Sequence, residues 1–149
     1  MARPARPPLA LAIEALLHGE PVAEAGARHE ALQVLGGIPH PEATRALARA
    51  LRSADWVDRF HAARAYAARA RGQGQEDLPR LETLLGDEDE SVRQAALEGI
   101  TVLVGEVAFS DRELHRQIDA AIARGLADGD DDVREAARTA QERRRELLG

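Results

Sequence analysis

Four arginines recur in one setting along the chain. Arg28, Arg59, Arg93 and Arg134 stand 31, 34 and 41 positions apart, and each follows an acidic residue by four positions: Glu24, Asp55, Asp89 and Asp130. A carboxylate at that place can cap a helix by accepting bonds from its free N–H groups. A guanidinium four positions later can pair with the same acid or with the acid of the following repeat, giving a ladder that serves the fold. Left unpaired, the same arginines would form a cationic row along one groove, suited to an acidic segment of a partner protein.

A second group is Trp56, Phe60 and Arg64, with Tyr66 close by, and it contains the only Trp and the only Tyr of the chain. Trp, Tyr and Arg are enriched among the side chains that dominate binding energy at interfaces. Phe60 aligns with the polar residues His29, Gln94 and Glu135 of the other repeats. Within its own helix it falls on an apolar face with Trp56, Ala63, Ala67 and Ala70. The local pattern predicts burial for Phe60 and partial exposure for Trp56, at the helix start.

His29-Glu30 is the third candidate. A non-haem iron site needs at least two His and a carboxylate converging on one face. The matching positions are Phe60-His61, Gln94-Ala95 and Glu135-Ala136, from which two such arms cannot be built. His18, His40 and His115 fall near helix ends or turns. The acidic turn Asp128-Gly129-Asp130-Asp131-Asp132 alternates carboxylates as a calcium loop does. Its sixth residue is Val133 and its twelfth is Thr139, where such a loop needs Gly and Glu. Helix capping, with a favourable helix dipole, is the expected role of this turn and of Asp87-Glu88-Asp89-Glu90. No glycine-rich phosphate loop and no nucleophile elbow is present, so no catalytic residue, no metal and no cofactor is expected.

The elements that must position these residues are helical. Turn signals at Gly19-Glu20-Pro21, Gly36-Gly37-Ile38-Pro39, Ser53-Ala54-Asp55, Gly72-Gln73-Gly74, Gly86-Asp87, Gly105 and Asp128-Gly129 divide the chain into about eight helices. No window alternates like a strand. Val92, Ala96, Ile100 and Leu103 line one helix face, and Leu78, Leu81, Leu84 and Leu85 another. Residues 1–8, rich in Pro and Arg, predict a poorly ordered arm. Residues 9–149 predict a single domain of four helical hairpins, at about 9–36, 40–71, 75–105 and 110–148. The polar stretch Gln141 to Glu146 predicts a capping last helix with a solvated outer face.

Asp89-Glu90-Ser91-Val92-Arg93-Gln94-Ala95-Ala96-Leu97 and Asp130-Asp131-Asp132-Val133-Arg134-Glu135-Ala136-Ala137 resemble the HEAT family, and within it the bacterial, phycobilisome-lyase-type repeats. In the first two repeats Ala27 and Asp58 replace the Val. The resemblance implies an all-α, right-handed α-solenoid in which each hairpin buries its apolar face against its neighbours. It implies a concave face built from the second helices. The stretch Ala27 to Gly36 is also similar to the His-Glu segments of deoxyhypusine hydroxylase, an iron-dependent HEAT-repeat oxygenase. That family uses several facing pairs; this chain has one.

Composition narrows the function. The chain of 149 residues is 44% hydrophobic and 31% charged but only 3% aromatic, so its core must be Ala, Leu, Val and Ile. It has no Cys, which excludes disulfides and thiolate metal sites. Every Lys/Arg position is Arg and Asn is absent, which points to a GC-rich bacterial genome. A net charge of -6 argues against nucleic acid as a ligand. The apolar run from Leu9 to Leu17 is short and broken by Glu14, so neither a signal peptide nor a membrane span is expected, and the cytoplasm is the expected location. The expected function is a non-enzymatic scaffold or adaptor that binds a peptide segment or domain of a partner protein, acidic in character, on its concave face. His29, Trp56, Arg59, Arg64, Arg93 and Arg134 are the expected contacts. Self-association into a homodimer through an end helix is a further expectation. The alternative is a metal-dependent hydroxylase-like or bilin-lyase-like enzyme or enzyme subunit.

Overall fold

The computed structural model describes residues 8–108 and 110–148, with the side chains of 70–77 left aside. The expected arm at 1–8 thus lies outside the described residues apart from Pro8, which opens the first helix. Among the described residues seven helices follow in order: α1 (Pro8–Leu17), α2 (Ala25–Gly36), α3 (Pro41–Ala50), α4 (Trp56–Leu84), α5 (Glu90–Val104), α6 (Arg112–Leu126) and α7 (Asp131–Leu148). The fold class is the expected one, all-α and built of helical hairpins. The second helix of the second hairpin and the first helix of the third both fall within α4, which also covers Gly72-Gln73-Gly74 and holds Pro79. No helix among the described residues is long and apolar enough to cross a membrane.

The chain divides into two compact units between Ala65 and Tyr66. In unit 1, α1 packs on α2 and α3, and α2 packs on α3. The centre is small: Ala12, Ala27 and Ala31 are buried, with Leu9, Ile13, Leu16 and Val22 packed around them. Leu32, Leu35 and Leu47 fill the rest, each exposed by no more than 1%. Removing such a side chain from water stabilises the fold by roughly 2 kcal/mol. Gly19 ends α1 in the left-handed conformation, at φ +74°, which suits a residue without a Cβ. Arg49 closes that end by donating from Nη2 to the carbonyl of Leu16 at 2.7 Å.

At Gly36, α2 packs closely against α4 in unit 1. A Cβ there would lie 2.8 Å from the Ala65 carbonyl oxygen and 3.0 Å from the Ala65 Cα, both backbone atoms that cannot swing aside. Gly36→Ala is therefore expected to destabilise unit 1 by about 1–3 kcal/mol, read as a lower urea midpoint. An unchanged midpoint would mean that α2 and α4 are not held this close.

In unit 2, α5 packs on α7 and α6, and α6 packs on α7. The faces expected from the periodicity are buried: Val92, Ala96, Ile100 and Leu103 on α5, and Leu78, Leu81, Leu84 and Leu85 beside them. Ile118, Ile122, Val133 and Ala137 complete this core from α6 and α7. The outer positions of α7 are charged, with Arg138 bonded to Glu135 at 2.6 Å along the helix surface.

Candidate functional site

The acidic residues that precede the four arginines all cap helices. Glu24 accepts from the N–H groups of Gly26 and Ala27 at 2.9 and 2.6 Å. Asp55 accepts from Val57 at 3.0 Å. Asp89 accepts from Ser91 and Val92 at 2.9 and 3.3 Å. Asp130 accepts from Asp132 and Val133 at 2.9 and 3.1 Å. Each carboxylate thereby satisfies donors that a helix start leaves unpaired.

The arginines share one geometry too. Each donates from Nη1 to the carbonyl six positions back: Arg28 to Val22 at 2.8 Å, Arg59 to Ser53 at 2.9 Å, Arg93 to Asp87 at 2.9 Å and Arg134 to Asp128 at 2.7 Å. The guanidinium thus braces the turn that leads into its own helix. The remaining donors reach further. Arg28 Nε donates to Asp58 at 2.8 Å, and Arg93 grips the Asp128 carboxylate through Nε and Nη2 at 2.9 and 3.1 Å. Arg134 also pairs with Asp131 on its own helix. Arg59 is only 8% exposed. These guanidinium groups serve the fold, and that use leaves Arg59, Arg93 and Arg134 poorly presented to a partner.

His29, Trp56 and Arg64 lie differently. In unit 1 they meet on one face of α2 and the first turns of α4. Trp56 is 46% exposed and its ring lies 6.5 Å from that of Phe60. The Arg64 guanidinium sits over the Phe60 ring at 5.7 Å, within cation–π range. Phe60 is half-buried, with one edge against His61 at 5.3 Å. His61 in turn stacks on His29, with ring centres 4.4 Å apart and planes 17° from parallel. Trp56 is as exposed as its position at the helix start implies, while Phe60 is only half-buried, short of the burial expected from its helical face.

The strip ends on Asp58, which sequence reasoning noted only as an oddity in the place of a Val. One of its oxygens accepts from Arg28 Nε and meets His29 Nε2 at 2.9 Å, and the other accepts from Ser53 Oγ at 3.0 Å. Burial alone would raise the Asp58 pKa, but the bonds from Arg28, Ser53 and His29 outweigh it and hold the carboxyl below the ordinary value of 3.8. The side chain is 14% exposed. The signal that could have found this hub was the substitution itself, since an Asp at an apolar repeat position needs partners.

His61 is held neutral. Burial comes first among the causes, and the charges of His29 and Arg64 add to it, against a smaller opposing pull from Asp58; together they lower its pKa from the ordinary 6.5. Its Nδ1 is buried without a hydrogen-bond partner, as the unprotonated nitrogen of a neutral ring can be. A histidine that binds protons less readily when folded makes stability fall as pH drops below about 6.5, where the unfolded chain takes up the proton first. His61→Phe keeps a ring between His29 and Phe60 but cannot take a proton. We expect it to flatten the loss of stability between pH 7 and 5 in denaturant titrations. Parallel losses in both proteins would remove His61 as the cause.

Stacked, near-parallel imidazoles do not aim their nitrogens at one point, and no group of three or more His, Asp or Glu side chains suited to a metal ion occurs among the described residues. In unit 2 a groove of about 340 Å³ between α5 and α7 is lined by Glu98, Asp132 and Glu135 with Gln94, Thr101, Ala136 and Thr139. Its charge is the wrong sign for an acidic segment, which suits the unit 1 face better.

Comparison with known families agrees with this arrangement. The family model described as HEAT repeats matches residues 10–101, more than half of the chain. A search of curated proteins returned no match. The matched stretch takes in Glu24 with Arg28, Asp55 with Arg59 and Asp89 with Arg93, and the repeated turn–cap–brace geometry follows those pairs. The chain belongs to the HEAT-repeat family.

Proposed function

We propose that this chain is a non-catalytic scaffold, of cytoplasmic and bacterial origin, that binds a partner protein through the α2–α4 face of unit 1. HEAT repeats are commonly protein-interaction scaffolds. The observation that carries the reading here is the row Trp56, Phe60 and Arg64, one helical turn apart each, with Trp56 46% exposed. A large, half-exposed apolar ring beside a cation offers surface that a partner can cover, and aromatic–arginine groups of this kind anchor interfaces. His29 borders the same face. Arg59 holds the turn into α4, so its part in binding is to shape the surface, while Arg93 and Arg134 brace turns within unit 2. Association of two copies through an end helix belongs to the same proposal, and sedimentation velocity reads it directly.

The test is a pull-down from source lysate with wild type and a Trp56→Ala/Arg64→Ala variant. Both side chains are exposed, so helicity and unfolding midpoint are expected to stay close to wild type. A specific protein captured by wild type and lost by the variant supports the reading. Equal capture by both would move the binding face away from α2–α4.

A further inference from the structure

Arg64 lacks the same-helix acid that several exposed arginines have. Arg116, Arg138 and Arg143 each pair with a Glu three positions away on the same helix. Arg64 has no such neighbour. Positions three and four away on either side are Phe60, His61, Ala67 and Ala68, and among the described residues no carboxylate pairs with it. The one acid within the strip, Asp58, is already engaged by Arg28, His29 and Ser53. The result is an uncompensated guanidinium lying on a ring, beside methyl surface and an exposed indole, in a chain of net charge -6.

We propose that this strip receives a partner segment in which an apolar or aromatic side chain is set beside a carboxylate. The apolar group covers Trp56 and Phe60, and the carboxylate is taken by Arg64. A guanidinium held within cation–π range of a ring has donors left for a planar carboxylate, and the apolar surroundings weaken the competition from water. Glu30, next to His29 in sequence and exposed on α2, has the same charge as the incoming carboxylate, which is therefore placed against Arg64 on α4. This inference rests on the scaffold reading and adds the chemistry of the partner to it.

Trp56 is the chain's only tryptophan, so its fluorescence reports on the proposed site alone. The experiment selects a random peptide library displayed on phage against the full chain. An enriched peptide is then titrated by Trp56 emission into wild type, Arg64→Ala and Glu30→Gln, and by calorimetry into Trp56→Ala. The expected result is enrichment of peptides that place Phe, Trp, Leu or Ile next to Asp or Glu. Arg64→Ala and Trp56→Ala should each weaken binding about tenfold, while Glu30→Gln should leave it unchanged or tighten it. Enrichment of basic peptides, or weakening by Glu30→Gln, would overturn the inference. Peptides that bind equally well to the Trp56→Ala and Arg64→Ala variants would overturn it while leaving a scaffold that binds elsewhere. No enrichment at all would also overturn it, and joined to an empty pull-down it would end the scaffold reading as well.

Discussion

Asp128→Ala is expected to destabilise unit 2 by about 2–4 kcal/mol. The carboxylate receives the Arg93 guanidinium on both oxygens, and one oxygen also accepts the Asp130 N–H at 3.0 Å. Both partners are largely shielded, with side chains 14% and 18% exposed. Truncation would leave the Nε and Nη2 donors of Arg93 facing nothing, with only the carbonyls of Asp87 and Glu88 still bound to Nη1. It would also loosen the turn into α7. Burial pushes the Asp128 pKa up, but Arg93 and the Asp130 N–H, with the charges of Arg93 and Arg134, bring it below 3.8. Its contribution to stability is therefore present above that value and is lost as pH falls through the folded-state pKa. Arg93→Lys should recover only part of the Arg93→Ala loss, because an ammonium cannot grip both oxygens. The decisive measurement is a double-mutant cycle of Asp128→Ala with Arg93→Ala in urea. A coupling of about 1.5 kcal/mol or more is expected for a shielded, two-oxygen pair; a coupling near zero would reduce it to a surface contact.

The spacing of acid and arginine was enough to place four helix starts, because capping is a local matter of a carboxylate and the next three N–H groups. The destination of the arginines was not legible in the same way. That a guanidinium folds back onto the carbonyl six positions earlier depends on the shape of the intervening turn, which residue types do not encode. Core faces such as Val92, Ala96, Ile100 and Leu103 were legible because helical period alone determines which side chains share a side. Gly72-Gln73-Gly74 reads as a turn, yet glycine only lowers helix propensity by about 1 kcal/mol per residue, and tertiary context can override that. The candidate site was half visible. Trp56, Phe60 and Arg64 are one turn apart and could be grouped from the sequence. His61 and Asp58 could join them only once α2 was known to lie against α4, so a stack between imidazoles 32 residues apart had no local signature.

Asp58→Ala is expected to cost unit 1 about 2–3 kcal/mol at neutral pH. Three groups converge on its carboxylate, from α2, from the turn before α4 and, through His29, from the stacked pair. Removing it leaves Arg28 Nε and Ser53 Oγ without their acceptors and frees the His29 ring. The expected consequence reaches the binding face, because His29 holds His61, and His61 supports the edge of Phe60 on which Arg64 lies. The pH dependence separates the two titrating groups. Wild type should lose stability first below about 6.5, from His61, and again below about 3.8 as the depressed Asp58 carboxyl takes up its proton. Asp58→Ala should shrink the lower step to the part that Asp128 contributes and keep the upper one. Asp58→Val is the sharper variant, since it installs the residue that Val92 and Val133 provide in the later repeats, where both are fully buried. If the position is simply an apolar slot, Asp58→Val will stabilise the chain. If the carboxylate is the hub that joins α2 to α4, Asp58→Val will still destabilise it, because a valine fills the space but leaves Arg28 Nε and His29 Nε2 without their acceptor.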